Sequence, residues 1–268
     1  MTERRVYGWR KDKRDENDYL LRATTRKAIP DIVNLSSILP AVRDQGNQGS
    51  CVGHGIGGII TGKAIQLGVF EEWFSPRWIY YLGRLLGGYV DEDNGTEPRL
   101  ALEGLVKYGC LLESAWQYKS DFDASPPPDA AYAEALKRPL LSYSRVVDGF
   151  DGICSALAGD NLVAIGSPWP DKWNNIGADG ELPRLLCWDE ASGGHETFLY
   201  GYNRATKIID GQNSWNTWWG DNGHYHMPAS ALNWFKKKGG YDAHIVQVNW
   251  TKLQALMRGC IAAGAVSR

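Results

Sequence analysis

A thiol, an imidazole and two carboxamides can together cleave an amide bond, and this chain sets one of each in a suitable context. Cys51 follows the small-residue turn Gly46-Asn47-Gln48-Gly49-Ser50, with Gln45 six positions upstream. Val52, Ile56, Ile59 and Ile60 then recur at helical spacing, which predicts Cys51 in the first turn of a helix. The free N–H groups and positive dipole end found there favour a thiolate over a thiol. A neighbouring imidazolium would lower the thiol pKa further. Gly193-Gly194-His195-Glu196-Thr197 offers the base. The run from Gln212 to Gly223, with Asn213 near its start, offers a group to orient it. Thiol chemistry on a carbonyl needs such a base, an orienting partner and a donor for the oxyanion.

The elements that must position these residues fall into two textures. At 268 residues and 43% apolar, the chain can bury a substantial core. Residues 1 to about 30 are polar and basic, and read as an extension on the surface or partly disordered. From Pro30 to about residue 125 the pattern is mostly helical. Gly68 is a helix stop, Ser75-Pro76 starts a second helix over about 77–86, and a polar loop from Asp91 to Pro98 leads into a third over about 99–107. Ser125-Pro126-Pro127-Pro128-Asp129 is the best internal boundary. Beyond it come short helices at 130–137 and 153–158 and strands at 140–147, 162–165, 197–202, 207–209 and 224–227. The division is therefore 1–30 extension, 31–125 helical lobe, 126–240 strand-rich lobe and 241–268 tail. This is an α+β chain with a cleft between its halves as the natural site. The stretch 250–257 is amphipathic, suited to docking on the core or on a partner.

Composition narrows the function. A net charge of −2 gives no basic field, so nucleic acid is not an implied partner. No apolar run is long enough to span a bilayer, and the first ten residues lack the apolar core of a secretory signal. Five widely spaced cysteines without CxxC write neither a disulfide framework nor a zinc knuckle. The expectation is a cytoplasmic protein with no metal and no cofactor. Twelve tryptophans is high for this length, with core packing taking some and a cleft with aromatic walls able to take others. Gly53-His54-Gly55-Ile56-Gly57-Gly58 formally fits a dinucleotide fingerprint. A polar loop precedes it instead of a buried strand, so the glycines are read as close-packing positions. His54 is expected to be buried and hydrogen-bonded. His224 and His226 share one face of a strand, with no further ligand nearby.

From about residue 30 to 230 these motifs resemble the papain-like cysteine peptidases, in their bacterial or phage-like form. Gln45 through Cys51 is similar to the family's oxyanion glutamine, turn and nucleophile. Gly194-His195 with Phe198 to Tyr202 resembles its histidine strand. Asn213-Ser214-Trp215 and Trp219-Gly220-Asp221-Asn222-Gly223 resemble its asparagine motif. His195 follows Cys51 within the ~130–150 residues usual for papain-type enzymes, and Asn213 lies slightly beyond that window. The resemblance implies a two-lobed fold, with a helical lobe first and an antiparallel barrel-like lobe second. It also implies peptide-bond hydrolysis through an acyl-enzyme, as an endopeptidase acting on a polypeptide substrate. Cys51 would attack, His195 protonate the leaving amine, Asn213 orient the ring, and Gln45 with the Cys51 N–H hold the oxyanion. Gly49, Gly194 and the Asn94-Gly95 loop would offer backbone to an extended substrate. Trp215 would shield the His195–Asn213 bond, and Trp219 would wall the leaving-group side.

The departures from the pattern carry expectations too. Val52 stands where an aromatic is usual, Gln48 where secreted members have a half-cystine, and Asn216 where a glycine is usual. The last asks Asn216 to take a left-handed turn conformation. Glu196, if it faces the cleft, would favour basic side chains near the scissile bond. Thirty residues are too few to form the family's usual long inhibitory prodomain, but residues 1–30 could lie across the cleft. Two other readings stay open: a silent fold kept for binding, and an amidase or transpeptidase acting on a cell-wall peptide.

Overall fold

A computed structural model describes residues 6–16, 18–23, 29–70 and 72–250. Helix α1 (Cys51–Gln66) is the axis of the molecule and is buried on nearly every side. Its glycines let neighbours reach the backbone. A Cβ on Gly58 would come 2.3 Å from the Phe198 ring, and one on Gly53 would come 2.4 Å from the Pro76 carbonyl. Helix α2 (Pro76–Gly87) starts as its sequence predicts. Ser75 Oγ accepts the Trp78 N–H at 3.2 Å, Pro76 takes the first turn, and Gly88 closes the helix at φ 78°. Helix α3 (Pro98–Tyr108) packs on α2, and both lie against one apolar core with α1.

The other half is a sheet. In chain order its strands are β1 (Leu20–Leu21), β2 (Ile32–Asn34), β3 (Ser142–Val146), β4 (Val163–Pro170), β5 (Ala191–Asn203), β6 (Ile208–Gln212), β7 (His224–Pro228) and β8 (Asp242–Gln247). Their spatial order is β1-β3-β8-β4-β5-β6-β7, with β2 on β5. Helices α4 (Asp129–Ala135), α5 (Gly149–Ala158) and α6 (Ala231–Lys237) complete the fold. A second core, rich in tryptophan, fills the strand half. The long strand β5 pairs with β4 from Val163↔Leu199 to Pro170↔Ala191 and packs on α1, so it carries one wall of the cleft while α1 carries the other. Among the described residues no helix is long and apolar enough to cross a membrane.

Three expectations need correction. Residues 242–247 are not tail. They form β8, inserted between β3 and β4 in the middle of the sheet. The extension before residue 30 is not loose surface chain where it is described. It crosses the cleft and then pairs through β1 in parallel with β3. The lobes also share strands, since β2 precedes the helical half yet pairs with β5. The amphipathic stretch beyond Trp250 lies outside the described residues.

Candidate active site

Cys51 is the first residue of α1 and is fully buried. The turn before it is braced on both sides. Tyr118 donates its hydroxyl proton to the Gln45 carbonyl at 2.5 Å and lies 2.6 Å from Ser50 Oγ. Asp93 Oδ1 accepts the Gly49 N–H at 2.9 Å and the Tyr80 hydroxyl at 2.7 Å, and that hydroxyl accepts the Gly95 N–H at 3.1 Å. Gly49 and Gly95 therefore stand as paired backbone walls. Neither Asp93 nor Tyr80 was singled out by sequence, since each acts through hydrogen bonds that have no periodic signature.

His195, on β5, has its Nε2 2.7 Å from Asn213 Oδ1. A carboxamide oxygen only accepts, so Nε2 carries the proton and Nδ1 is the basic nitrogen. The Ser214 N–H also donates to Asn213 Oδ1, at 2.8 Å, which fixes the carboxamide. Trp215 stacks on the imidazole at 4.5 Å between centroids, and Trp169 meets it edge-on at 4.8 Å. Gln45 is oriented from the same segment: Ser214 Oγ donates to its Oε1 at 2.7 Å, which turns its NH2 group toward the cleft.

That NH2 group holds a peptide carbonyl, and the carbonyl belongs to this chain. Gln45 Nε2 donates to the Val6 oxygen at 3.1 Å. Residues 6–10 run through the cleft as an extended strap. The Gly8 and Trp9 N–H groups both donate to the Gly194 carbonyl, at 3.1 and 2.9 Å. On the other wall Thr96 N–H donates to Gly8 O at 2.8 Å, and Arg10 N–H donates to Thr96 O at 3.0 Å. Tyr7 lies edge-on to His195 and Trp215, and its hydroxyl donates to Asn174 Oδ1 at 2.9 Å. The fit requires glycine on both sides. A Cβ on Gly8 would come 1.8 Å from Gly49 O, and one on Gly95 (φ 73°) would come 2.0 Å from Gly8 O. At the thiol the strap presents the Gly8 N–H. It is held by the groups that would bind a peptide.

This burial changes the thiol. The Cys51 pKa is pushed up to about 12, first by burial and then by the nearby Glu196 carboxyl, against the N–H groups of Glu196, Gly8 and Val52. The sequence-based expectation of a depressed thiol pKa is therefore not met in the closed form, where desolvation outweighs the helix end. Glu196 is also not a cleft residue. It is buried against α1, its Cγ 2.9 Å from where a Gly55 Cβ would be, so the argument for basic side chains loses its premise. Trp219 is likewise a core residue, donating to the Asn174 carbonyl at 3.0 Å and packing on Trp215 and Trp169. It supports the site from behind instead of walling it. Asn94 does border the open hollow beside Val6, Trp9 and Gly193. Asn216 takes the left-handed conformation expected of it, at φ 63°. His54 is buried, with Nδ1 3.1 Å from the Ser50 carbonyl.

No family model matches the chain. An uncharacterized peptidase C1-like protein of Acanthamoeba polyphaga mimivirus is 27% identical over 257 residues, covering 85% of this chain and 82% of the viral protein. Among solved structures, xylellain, a cysteine protease from Xylella fastidiosa, superposes with a TM-score of 0.82 at 24% identity, covering 93% of this chain and 99% of that one. The bromelain protease of Ananas comosus superposes at 0.62 and 15% identity, covering 82% and 100%. The fold is thus the papain-like α+β fold, a helical part followed by an antiparallel sheet lobe. With the order of its motifs and its viral relative, it makes this chain similar to the papain-like cysteine peptidases.

Proposed function

We propose that the chain is a thiol-dependent endopeptidase whose cleft is closed by its own residues 6–10. The observation that carries this reading is Gln45 Nε2 on the Val6 carbonyl, beside Cys51 and the His195–Asn213 pair. With the strap displaced, a substrate carbonyl would take the donors of Gln45 and of the Cys51 N–H. The Cys51 thiol would pass its proton to His195 Nδ1 as its sulfur bonds to the carbonyl carbon, and the C–N bond would break as Nδ1 gives that proton to the departing amine. Water, deprotonated by His195, would then release the acid and restore the thiol. A polypeptide is the substrate this backbone-lined cleft suits, and no metal or cofactor enters the scheme. The free thiols of Cys110 and Cys154, both buried, suit a reducing compartment such as the cytoplasm.

The test is hydrolysis of a fluorogenic peptide library by the wild-type chain and by Gly8→Val, whose side chain cannot enter beside Gly49. Hydrolysis that rises in Gly8→Val and vanishes in Gly8→Val with Cys51→Ala supports the proposal. Loss of activity in every form, with Cys51 no more reactive toward a peptide epoxide than Cys187, moves the silent binding fold ahead. Turnover of cell-wall peptides alone would favour the amidase reading.

A further inference from the structure

The strap continues past Arg10 to Asp12, whose carboxyl turns into the protein. Its backbone N–H donates to Asp242 Oδ2 at 2.8 Å, and its Oδ1 accepts the Arg99 N–H at 3.0 Å. Its Oδ2 lies 3.3 Å from His244 Nε2 and 3.6 Å from the Arg145 guanidinium, which binds Asp242 directly. Both carboxyl side chains are wholly buried. This is where the strap, held farther up mainly by its backbone, sinks a charged group into the sheet.

The charges facing Asp12 do not balance. Strand β8 brings Asp242 and His244, β3 brings Arg145, β5 brings Glu196, and the start of α3 brings Glu97 and Arg99. The Arg99 guanidinium is already shared among Asp15, Asp18 and Glu103. His244 is held neutral, its pKa pushed down to about 3 by burial and then by Arg145 and Arg99. Lys11, on the strap itself, donates to the Gly239 carbonyl and adds to Asp242 an attraction weaker than that of Arg145. Arg145 therefore stands as the near cation for two carboxylates, in a place water does not reach. A buried pair of carboxyls with one counter-charge holds a proton.

We propose that Asp12 and Asp242 form a proton-dependent latch, which keeps the strap over Cys51 while one of the two carboxyls is protonated and lets it go when both ionise. The latch rests on the closed-cleft reading above. Its direction follows from linkage. Burial, and then the charge of Asp242, push docked Asp12 up to about 8, whereas in a released strap it returns to its ordinary range near 3.8. Docking thus carries a bound proton between those limits, and weakens by up to about tenfold per pH unit as pH rises through them. Alkalinity opens the cleft, and acid closes it.

The test reads closure without requiring turnover. The full-length chain is alkylated with iodoacetamide from about pH 5 to about pH 9, and the rate at Cys51 is divided by that of Gly8→Val at the same pH, so that ionisation of the thiol itself cancels. The ratio is expected to be far below one in acid, to climb by up to about tenfold per pH unit, and to approach one above about pH 8. Asp242→Asn should keep the ratio low and flat. Asp12→Asn, which leaves the sheet untouched, should do the same if the first variant folds poorly. A ratio below one that does not change with pH, or that falls as pH rises, overturns the latch and leaves the closed cleft standing. A ratio of one at every pH overturns both, while peptide hydrolysis by Gly8→Val judges the peptidase reading separately.

Discussion

Ser214 Oγ donates to Gln45 Oε1 at 2.7 Å, while the backbone N–H of the same serine donates to Asn213 Oδ1 at 2.8 Å. One residue therefore orients both the amide that holds the carbonyl and the amide that holds the imidazole, and so ties the two arms of the site together. Without that serine, and with the strap displaced, the Gln45 amide keeps only the 3.2 Å bond from its Nε2 to the Gln48 carbonyl to hold its oxygen away from an oxyanion, which that oxygen would repel.

Ser214→Ala removes the side-chain half of this arrangement. In the Gly8→Val background kcat is expected to fall by about tenfold with KM little changed, because the lost interaction acts on the oxyanion of the transition state. Gln45→Ala should cost more, on the order of a hundredfold or above. Steady-state kinetics on one peptide checks both. A Ser214→Ala effect confined to KM would show that Gln45 needs no such support.

Close packing on α1 makes a separate claim, about stability. Gly58→Ala would place a methyl 2.3 Å from the Phe198 ring, which is itself buried. Overpacking of this kind costs about 1–3 kcal/mol. For a chain of this size that lowers Tm by roughly 2–4 °C per kcal/mol. Thermal unfolding by circular dichroism reads it. An unchanged Tm would mean that the helix and β5 can move apart freely.

These two cases mark what was legible beforehand. Cys51, Gln45, His195 and Asn213 stand in long motifs whose local chemistry is written in residue type. Asn216 even signalled its own left-handed turn by replacing a glycine. The strap was legible only as a suspicion. Val6-Tyr7-Gly8-Trp9 is held by backbone bonds to Gly194 and Thr96, and backbone bonds leave no pattern in side-chain types. Strand β8 was hidden for another reason. Asp242 and His244 sit at buried positions, so the stretch lacks the apolar alternation that marks a strand. Glu196 misled by position, since a place one residue after His195 does not say which face of β5 it takes. It turns to α1.

The buried histidines set an acid limit. His54 and His244 are each pushed down to about 3 by burial, so the folded chain refuses protons that the unfolded chain accepts below about 6.5. Stability present above that value is lost as pH falls toward 3. His54→Phe removes one such group at similar volume. The difference in urea midpoint between about pH 7 and about pH 5 should shrink in this variant, even if the loss of the bond to Ser50 lowers both midpoints by an amount on the order of 1 kcal/mol. An unchanged difference would assign the acid sensitivity to His244 or to surface groups.

Glu196 acts in the opposite direction. Burial, followed by the charges of Asp12 and Asp242, raises its carboxyl well above the usual range. The folded chain then binds a proton that the unfolded chain has already released, so stability falls as pH rises from the ordinary carboxyl range toward the shifted one. Once ionised, the carboxylate would also oppose formation of the Cys51 thiolate, because its charge is among the influences that raise that thiol. Glu196→Gln keeps the shape and removes both effects. Its urea midpoint should decline less than that of the wild type between about pH 6 and about pH 9. In the Gly8→Val background, adding Glu196→Gln should speed alkylation of Cys51 over that range. Equal alkylation rates together with a flattened stability profile would mean that Glu196 matters to the fold alone and leaves the nucleophile untouched.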